Sequence, residues 1–110
     1  MKTKRKVAKK KGVKKKKAAI KKDILKDANP EHYFFVQDGT VLKNVLGLSK
    51  QLDNMADEIF MHHVNETRND FSNWIKDVFK EEKLAKELLK TTNKDKTQII
   101  ILKHIIKKFS

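Results

Sequence analysis

The sequence predicts a mainly α-helical protein: a compact bundle of about five short helices, at most one short strand or hairpin near residues 32–41, and a disordered basic N-terminal arm. Three observations predict this fold class. Apolar residues recur at helical spacing through most of the chain after Val41. A run with the composition of a strand stands out at Tyr33–Val36. The first 22 residues contain very few side chains that can contribute to a core. The predicted organisation is therefore an arm, residues 1–22, followed by a single small helical domain, residues 23–110.

The first predicted elements lie on either side of the single proline. Residues 18–28 have apolar residues at four-residue spacing and stop at Asn29-Pro30, which predicts a short helix. His32–Gln37 is a predicted strand, and Asp38-Gly39 is a predicted turn. An isolated strand leaves its edges unpaired. This strand therefore pairs with another chain, with a segment of this chain that does not resemble a strand, or with nothing.

Helical spacing begins after this turn. Val41, Val45, Leu48, Leu52 and Met55 fall on one apolar stripe, which predicts a helix that starts near the beginning of the stripe.

A second short helix is predicted from Asp57, which is a candidate N-cap. Its inward-facing residues are expected to be Ile59, Phe60 and Val64.

The strongest helical pattern follows Asn69 and Asp70, either of which can cap the helix. After a loop at residues 91–94, Asp95 or Thr97 begins a last helix that is apolar over much of its circumference. Such a helix is expected to lie in the centre of the core or in an interface. The apolar positions of these two segments are Phe71, Trp74, Ile75, Val78, Phe79, Leu84, Ala85, Leu88 and Leu89, then Ile99–Leu102, Ile105, Ile106 and Phe109.

Positive charge is concentrated in the arm. The formal net charge of the chain is +13, and residues 1–22 contain 13 Lys and Arg with no Asp or Glu. Residues 23–110 contain 14 basic and 14 acidic side chains, so the domain is neutral. Ordering a backbone costs roughly 1–2 kcal/mol per residue, and the arm has almost nothing to bury in return. We therefore expect the arm to be disordered until it meets an anion.

A lysine-rich arm of this kind predicts binding to a phosphate backbone. Lysine neutralises phosphates and releases their counterions, but it lacks the planar fork with which arginine reads guanine. The predicted function is therefore sequence-independent binding of DNA or RNA, as a nucleoid-associated or ribonucleoprotein accessory factor. The predicted nucleic-acid contacts are Lys4, Arg5, Lys6, Lys9, Lys10, Lys11, Lys14, Lys15, Lys16, Lys17, Lys21 and Lys22.

Other partners fit the arm less well. It can serve as a solubilising tail, or it can be attracted to anionic lipid. A membrane anchor is disfavoured because nothing in residues 1–17 would insert beside the charges. A different class of function is a protein–protein adaptor, in which the helical body binds a partner and the arm is only a tether or a solubilising tail.

A metal site is considered at His62-His63, which have Glu66 and Asp70 nearby. His62 and Glu66 have the i, i+4 spacing that can place two ligands on one helical face. However, adjacent histidines point about 100° apart on a helix, and Asn65 resembles a helix end. The sequence therefore predicts no metal.

The expected role of these histidines is structural. One of them is expected to pack against Phe60 or Trp74 and to be hydrogen-bonded, while the other is solvated.

No catalytic or cofactor site is predicted. The chain has no cysteine, so it has no disulfide, thiolate nucleophile or cysteine-bound zinc. Its Asp, Glu, His and Ser residues show no diagnostic spacing, and its three glycines form no phosphate loop. Phe71, Trp74 and Phe79 have the spacing of a helix core, which we favour over a platform for stacking bases. We expect no enzyme, no cofactor and no small-molecule substrate.

Hydropathy predicts a cytoplasmic protein without a membrane partner. The N-terminal residues lack the apolar stretch of a secretory signal. The longest apolar run, Ile99–Leu102, is far shorter than the roughly 20 residues of a membrane span.

Part of the domain resembles a known family. Tyr33-Phe34-Phe35 followed by Asp38-Gly39-Thr40, and above all the segment FMHHVNETRNDFSNW from Phe60 to Trp74, are similar to a small archaeal domain family of unknown function. The resemblance covers roughly residues 31–90 and excludes the arm. It implies a small helical domain in an archaeal, cytosolic setting and supplies no site residues.

Overall fold

The computed structural model describes residues 25–109 of the chain. Within this range it contains five helices and two small hairpins, and 59% of the residues are helical. The predicted mainly α fold with about five short helices is confirmed. The predicted arm, residues 1–22, lies outside the described residues. The helices are α1 Val45–Gln51, α2 Asp57–His63, α3 Asp70–Phe79, α4 Glu82–Leu88 and α5 Lys94–Phe109.

A hairpin forms where the sequence predicts one. After a single 3-10 turn at Pro30–His32, strand β1, Phe34–Phe35, pairs antiparallel with β2, Val41–Leu42. Gly39 lies in the connecting turn with φ of +94°, a conformation that glycine adopts without strain. The partner of the predicted strand is thus the start of the stripe predicted to be helical. Helix α1 begins only at Val45.

The turn of this hairpin is held by a carboxylate. Asp38 Oδ1 accepts a hydrogen bond of 2.9 Å from the backbone N–H of Thr40. This bond and a second one from the Thr40 side chain hold the pKa of Asp38 below its ordinary value.

Asparagine side chains start three of the helices, α1, α3 and α5. Asn44 caps α1 by accepting from the Gly47 N–H at 2.7 Å. Asn69 caps α3 by accepting from the Ser72 N–H at 2.9 Å, as predicted. Asp57 is the first residue of α2 and not its cap, although its charge at that helix N-terminus is favourable.

The apolar pattern after Asn69 is divided between two helices. Lys80 ends α3 in the left-handed conformation, with φ of 59°, and donates its N–H to the Lys76 carbonyl at 3.1 Å. The chain then folds back, and α4 packs on α3. The Ser72 hydroxyl donates to the Ala85 carbonyl at 2.7 Å across this contact.

A second hairpin was not predicted. Strands β3, Val64–Asn65, and β4, Arg68–Asn69, pair antiparallel between α2 and α3. The described residues therefore form two hairpins, one more than the sequence predicts. The turn depends on the Asn65 side chain, whose oxygen accepts from the Thr67 N–H at 2.9 Å. A ladder of two residues, mostly polar, leaves no alternating pattern in the sequence.

One cluster of buried apolar side chains joins all five helices and both hairpins. This cluster is the core of the described residues and contains most of the predicted apolar positions. Its members are Val36, Leu42, Val45, Leu48, Leu52, Met55, Phe60, Val64, Phe71, Trp74, Ile75, Phe79, Leu84, Leu88 and Ile101.

Helix α5 does not lie in the centre of the core, which leaves the other predicted position, an interface, as a prediction. Its buried residues are Thr97 and Ile101, through which it covers α1 and α4. Four large apolar side chains on its other side are exposed, and Ile106 has 67% of its surface accessible. The exposed set, called here the apolar stripe, is Ile99, Leu102, Ile106 and Phe109.

The predicted helix over residues 18–28 does not extend through its described end. Leu25 and Lys26 form a turn and a bend, and the following residues have no regular structure. The Ala28 N–H donates to the Lys43 carbonyl at 2.8 Å, a long-range bond that replaces a helical one. Residues 18–24 lie outside the described range.

Candidate nucleic-acid interface

The twelve residues predicted to contact nucleic acid lie between Lys4 and Lys22, outside the described range. The structure shows instead how the first described residues are held against the rest of the domain. The Asn44 side chain donates to Asp27 Oδ1 at 2.7 Å, beside the bond between Ala28 and Lys43. The chain is therefore fixed at Asp27 and Ala28 against β2 and the start of α1.

The aromatic residues of α3 are core residues, as predicted. Phe71 is fully buried, Phe79 is 9% exposed and Trp74 is 7% exposed. The Trp74 indole N–H donates to the His32 carbonyl at 2.7 Å. The Trp74 ring meets Phe79 edge to face at 5.1 Å between centroids. Rings held in this way have no free face on which a base can stack.

His63 is the buried member of the histidine pair. Its Nε2 accepts a hydrogen bond of 3.0 Å from the Gln37 backbone N–H, and its Nδ1 lies 3.0 Å from Asp70 Oδ2. Because Nε2 accepts, Nδ1 carries the proton and donates to the carboxylate. The ring packs against Phe34 and Phe71, at 5.1 and 5.3 Å, and not against the residues predicted from the sequence. His63 therefore connects the first hairpin to α2 and α3.

His62 is exposed, so the prediction of one packed and one solvated histidine is confirmed. Helix α2 ends at His63, and Glu66 lies in the turn of the second hairpin. His62 and Glu66 consequently do not share a helical face. Among residues 25–109, no group of three or more His, Cys, Asp or Glu side chains is placed to hold a metal ion.

The role of His63 can be tested with His63→Leu. We expect this substitution to lower the free energy of unfolding by about 1–3 kcal/mol, because the Gln37 N–H loses its acceptor and Asp70 loses a donor. Urea denaturation measures the change. The matched control is His62→Leu, which alters an exposed neighbour and should stay within about 0.5 kcal/mol. Equal urea midpoints for the two variants would contradict a structural role for His63.

Sequence reasoning did not find a basic surface on the domain. A hollow of about 500 Å³ lies between α4 and α5, and Leu84 and Ile100 are among the residues that line it. A second hollow, of about 610 Å³, shares Lys108 with the first and extends to the start of the described chain. The lysines that line the two hollows are Lys26, Lys80, Lys83, Lys103, Lys107 and Lys108.

No linear signal marks this surface. The lysines come from four segments of the chain, and Lys107-Lys108 is their only adjacent pair. They are brought together by the packing of α4 on α5, which no local pattern in the sequence indicates.

Comparison of the chain with models of protein families, with curated proteins and with solved structures found no match. The resemblance of residues 31–90 to an archaeal domain family therefore stays a prediction. Over the described part of the chain, none of the helices has the length and apolar character needed to cross a membrane.

Proposed function

We propose that this protein binds DNA or RNA without sequence preference through its lysine-rich arm, as a nucleoid-associated or ribonucleoprotein accessory factor. The observation that carries the proposal is the division of charge. Thirteen basic side chains and no acidic ones lie in residues 1–22, whereas the remaining residues are neutral. Dense positive charge without opposing carboxylates is what a phosphate backbone selects.

Helix α3 offers bases no stacking platform, which fits binding through phosphates. The aromatic side chains of α3 are buried, so they are not available to stack on bases. Lysine, which supplies 12 of the 13 basic residues of the arm, acts as a point charge and does not discriminate between base edges. Phosphates are common to DNA and RNA, and we expect both to bind.

The salt dependence of binding tests this proposal. If about 6–10 lysines contact phosphates, log K should fall with log[salt] at a slope of roughly −5 to −9 on duplex DNA. An increase from 50 to 200 mM salt then weakens binding by about three to five decades. Fluorescence anisotropy with a labelled duplex of random sequence measures this slope. A flat salt response, or a strong preference for one sequence in a random pool, would contradict the proposal.

The apolar stripe of α5 favours a second candidate function, that of a protein–protein adaptor. Ile99, Leu102, Ile106 and Phe109 follow one another at spacings of three, four and three, which is the pattern of a coiled-coil seam. The stripe has lysines beside it, Lys96 and Lys103 among them, and both are exposed. A second copy would bring further lysines to this face. The partner that fits is an amphipathic helix with acidic flanks.

Binding of a synthetic helix tests the adaptor function. The probe is a three-heptad peptide with Leu at its a and d positions and Glu at its e and g positions. We expect Ile106→Glu in the full chain to weaken binding of this peptide at least tenfold. The control is Leu89→Glu, which changes a similarly exposed apolar residue just after α4 and adds the same charge.

Two results would overturn the adaptor assignment. One is equal peptide affinity for the Ile106→Glu and Leu89→Glu variants, since binding would then depend on the arm and not on the stripe. The other is a dimer of the unmodified chain, detected by sedimentation and dissociated by Ile106→Glu, since the stripe would then bind a second copy.

A further inference from the structure

The two hollows at the end of α5 form one basic surface. Lys83 on α4 and Lys103 on α5 stand on opposite sides of the first hollow. Lys108 belongs to both hollows, so the second continues the first towards Lys26 and Lys80. Together they form a continuous surface with lysines from both helices and from the start of the described chain.

The surface has more positive than negative charge. Six lysines and three carboxylates line it. Residues 25–109 contain 14 basic and 13 acidic side chains. The rest of the described domain therefore has eight basic and ten acidic side chains. The surplus of three lysines is local and does not follow from the composition of the domain.

The three carboxylates of this surface already have partners. Glu81 is nearly buried and lies 2.8 Å from Lys108 Nζ and 3.2 Å from His104 Nε2. Glu87 pairs with Lys90 at 3.0 Å, outside the hollows. The third, Asp27, accepts from the Asn44 amide.

Several of the lysines, by contrast, have no carboxylate partner. Among the described residues, Lys26, Lys80, Lys83 and Lys103 form no ion pair.

Helix stability does not explain where these lysines stand. Lysine in the last turn of a helix interacts favourably with the helix dipole, which accounts for Lys107 and Lys108. Lys83, however, is in the first turn of α4, where a cation is unfavourable. Lys80 occupies a left-handed position that glycine would fill without strain. Both lysines are therefore placed at some cost to the fold.

At the opposite end of α5 the charges are paired. Lys94, its first residue, pairs with Asp57 at 3.3 Å, and the Gln98 amide donates to Asp53 at 2.6 Å. A helix of 16 residues is about 24 Å long, so this end is well separated from the basic surface. The described domain is thus nearly neutral, with a local surplus of lysine at one end.

The first described residues lie at the basic end. Lys26, Asp27 and Ala28 line the second hollow, so the chain enters the domain beside Lys80 and Lys108. A phosphate backbone held by residues just before Leu25 therefore lies next to the basic surface.

We propose that the lysine surface of α4 and α5 is a second binding site for the same nucleic-acid phosphate backbone, contacted by Lys83 and Lys103. This inference rests on the proposed function of the arm. The arm supplies most of the affinity, and the surface fixes the orientation of the domain on the nucleic acid.

The test is the double variant Lys83→Gln/Lys103→Gln in the full chain, titrated with a labelled 24-base-pair duplex and a single-stranded RNA of equal length. Each lost phosphate contact should reduce the salt slope by about 0.9 on the duplex. We therefore expect the slope to fall in magnitude by about 1.8 and the affinity to fall at least tenfold at 100 mM salt.

The control is Lys50→Gln/Lys96→Gln, which removes the same charge from exposed positions on α1 and at the start of α5. It should leave the slope unchanged. Equal slopes and affinities for the two double variants would contradict the proposed second site. The proposed binding through the arm would still stand.

A third protein, lacking residues 1–22, separates this inference from the proposed function. If it binds as tightly as the full chain while Lys83→Gln/Lys103→Gln weakens binding, the lysine surface is the main site and the proposed role of the arm fails. If the full chain binds neither probe, both proposals fail.

Discussion

Deletion of residues 1–22 is expected to abolish binding to nucleic acid at 150 mM salt while leaving the melting temperature almost unchanged. The deletion removes all 13 surplus positive charges and leaves a neutral chain. The loss of 6–10 phosphate contacts lowers the affinity by several decades at this salt concentration. Each member of the described core lies after the deleted segment, so the fold keeps its packing. Anisotropy titration and a thermal melt measure the two quantities.

An arm of scrambled sequence is the matched control for this deletion. It keeps the length and all 13 basic residues, so a site that depends on charge and not on order should bind as the natural arm does. Replacing the arm lysines with glutamine at constant length should abolish binding to nucleic acid as the deletion does. A truncated domain that still binds with affinity close to that of the full chain would place the site in the fold.

Trp74→Ala is expected to remove a large part of the stability of the domain. Trp74 is buried, donates to the His32 carbonyl and packs edge to face on Phe34 and Phe79. Truncation of a buried tryptophan costs about 3–5 kcal/mol, against a stability of about 5–10 kcal/mol for a domain of this size. A chemical denaturation curve should therefore show a low midpoint or no folded baseline.

Trp74→Phe is the companion variant. It keeps an aromatic ring in the core and removes the indole N–H, so we expect a smaller loss, of about 1–2 kcal/mol. A Trp74→Ala protein that melts normally but binds single strands less tightly would show that this ring stacks on bases. The site would then belong to the helical body.

The sequence predicts local features of this fold well. The cap at Asn69 and the buried stripe from Phe71 to Phe79 depend on residues within one or two turns of each other. Such features are specified by hydrogen bonding and apolar spacing along a single helix. The turn at Gly39 is predictable for the same reason.

Features that depend on tertiary packing were missed. The helical spacing of Val41 with Val45 is real, but β1 needs a partner, and pairing with Phe35 moves Val41 into a strand. The acceptor role of His63 depends on Gln37, which is 26 residues away in the chain. Neither arrangement leaves a local pattern.

Helix α5 shows the limit of hydrophobicity as a guide to burial. Its isoleucines predict a helix in the centre of the core or in an interface, but a single side packs on α1 and α4, and Ile106 is exposed in the described structure. Apolar composition indicates that a surface can be buried without indicating what covers it. The basic surface could not be predicted from the sequence either. Lys83 and Lys103 follow no sequence pattern, and they line one hollow only because α4 packs on α5.

The fixed attachment of the chain at Ala28 limits how much nucleic acid one molecule can cover. Lys2 lies 23 residues before Leu25, and an extended chain advances at most about 3.3–3.6 Å per residue, so the arm reaches no further than about 80 Å. That distance corresponds to about 24 base pairs of duplex, which carry about 48 phosphates. Thirteen lysine and arginine charges neutralise only about a quarter of them. Three or four molecules can therefore share one such stretch before its charge is balanced.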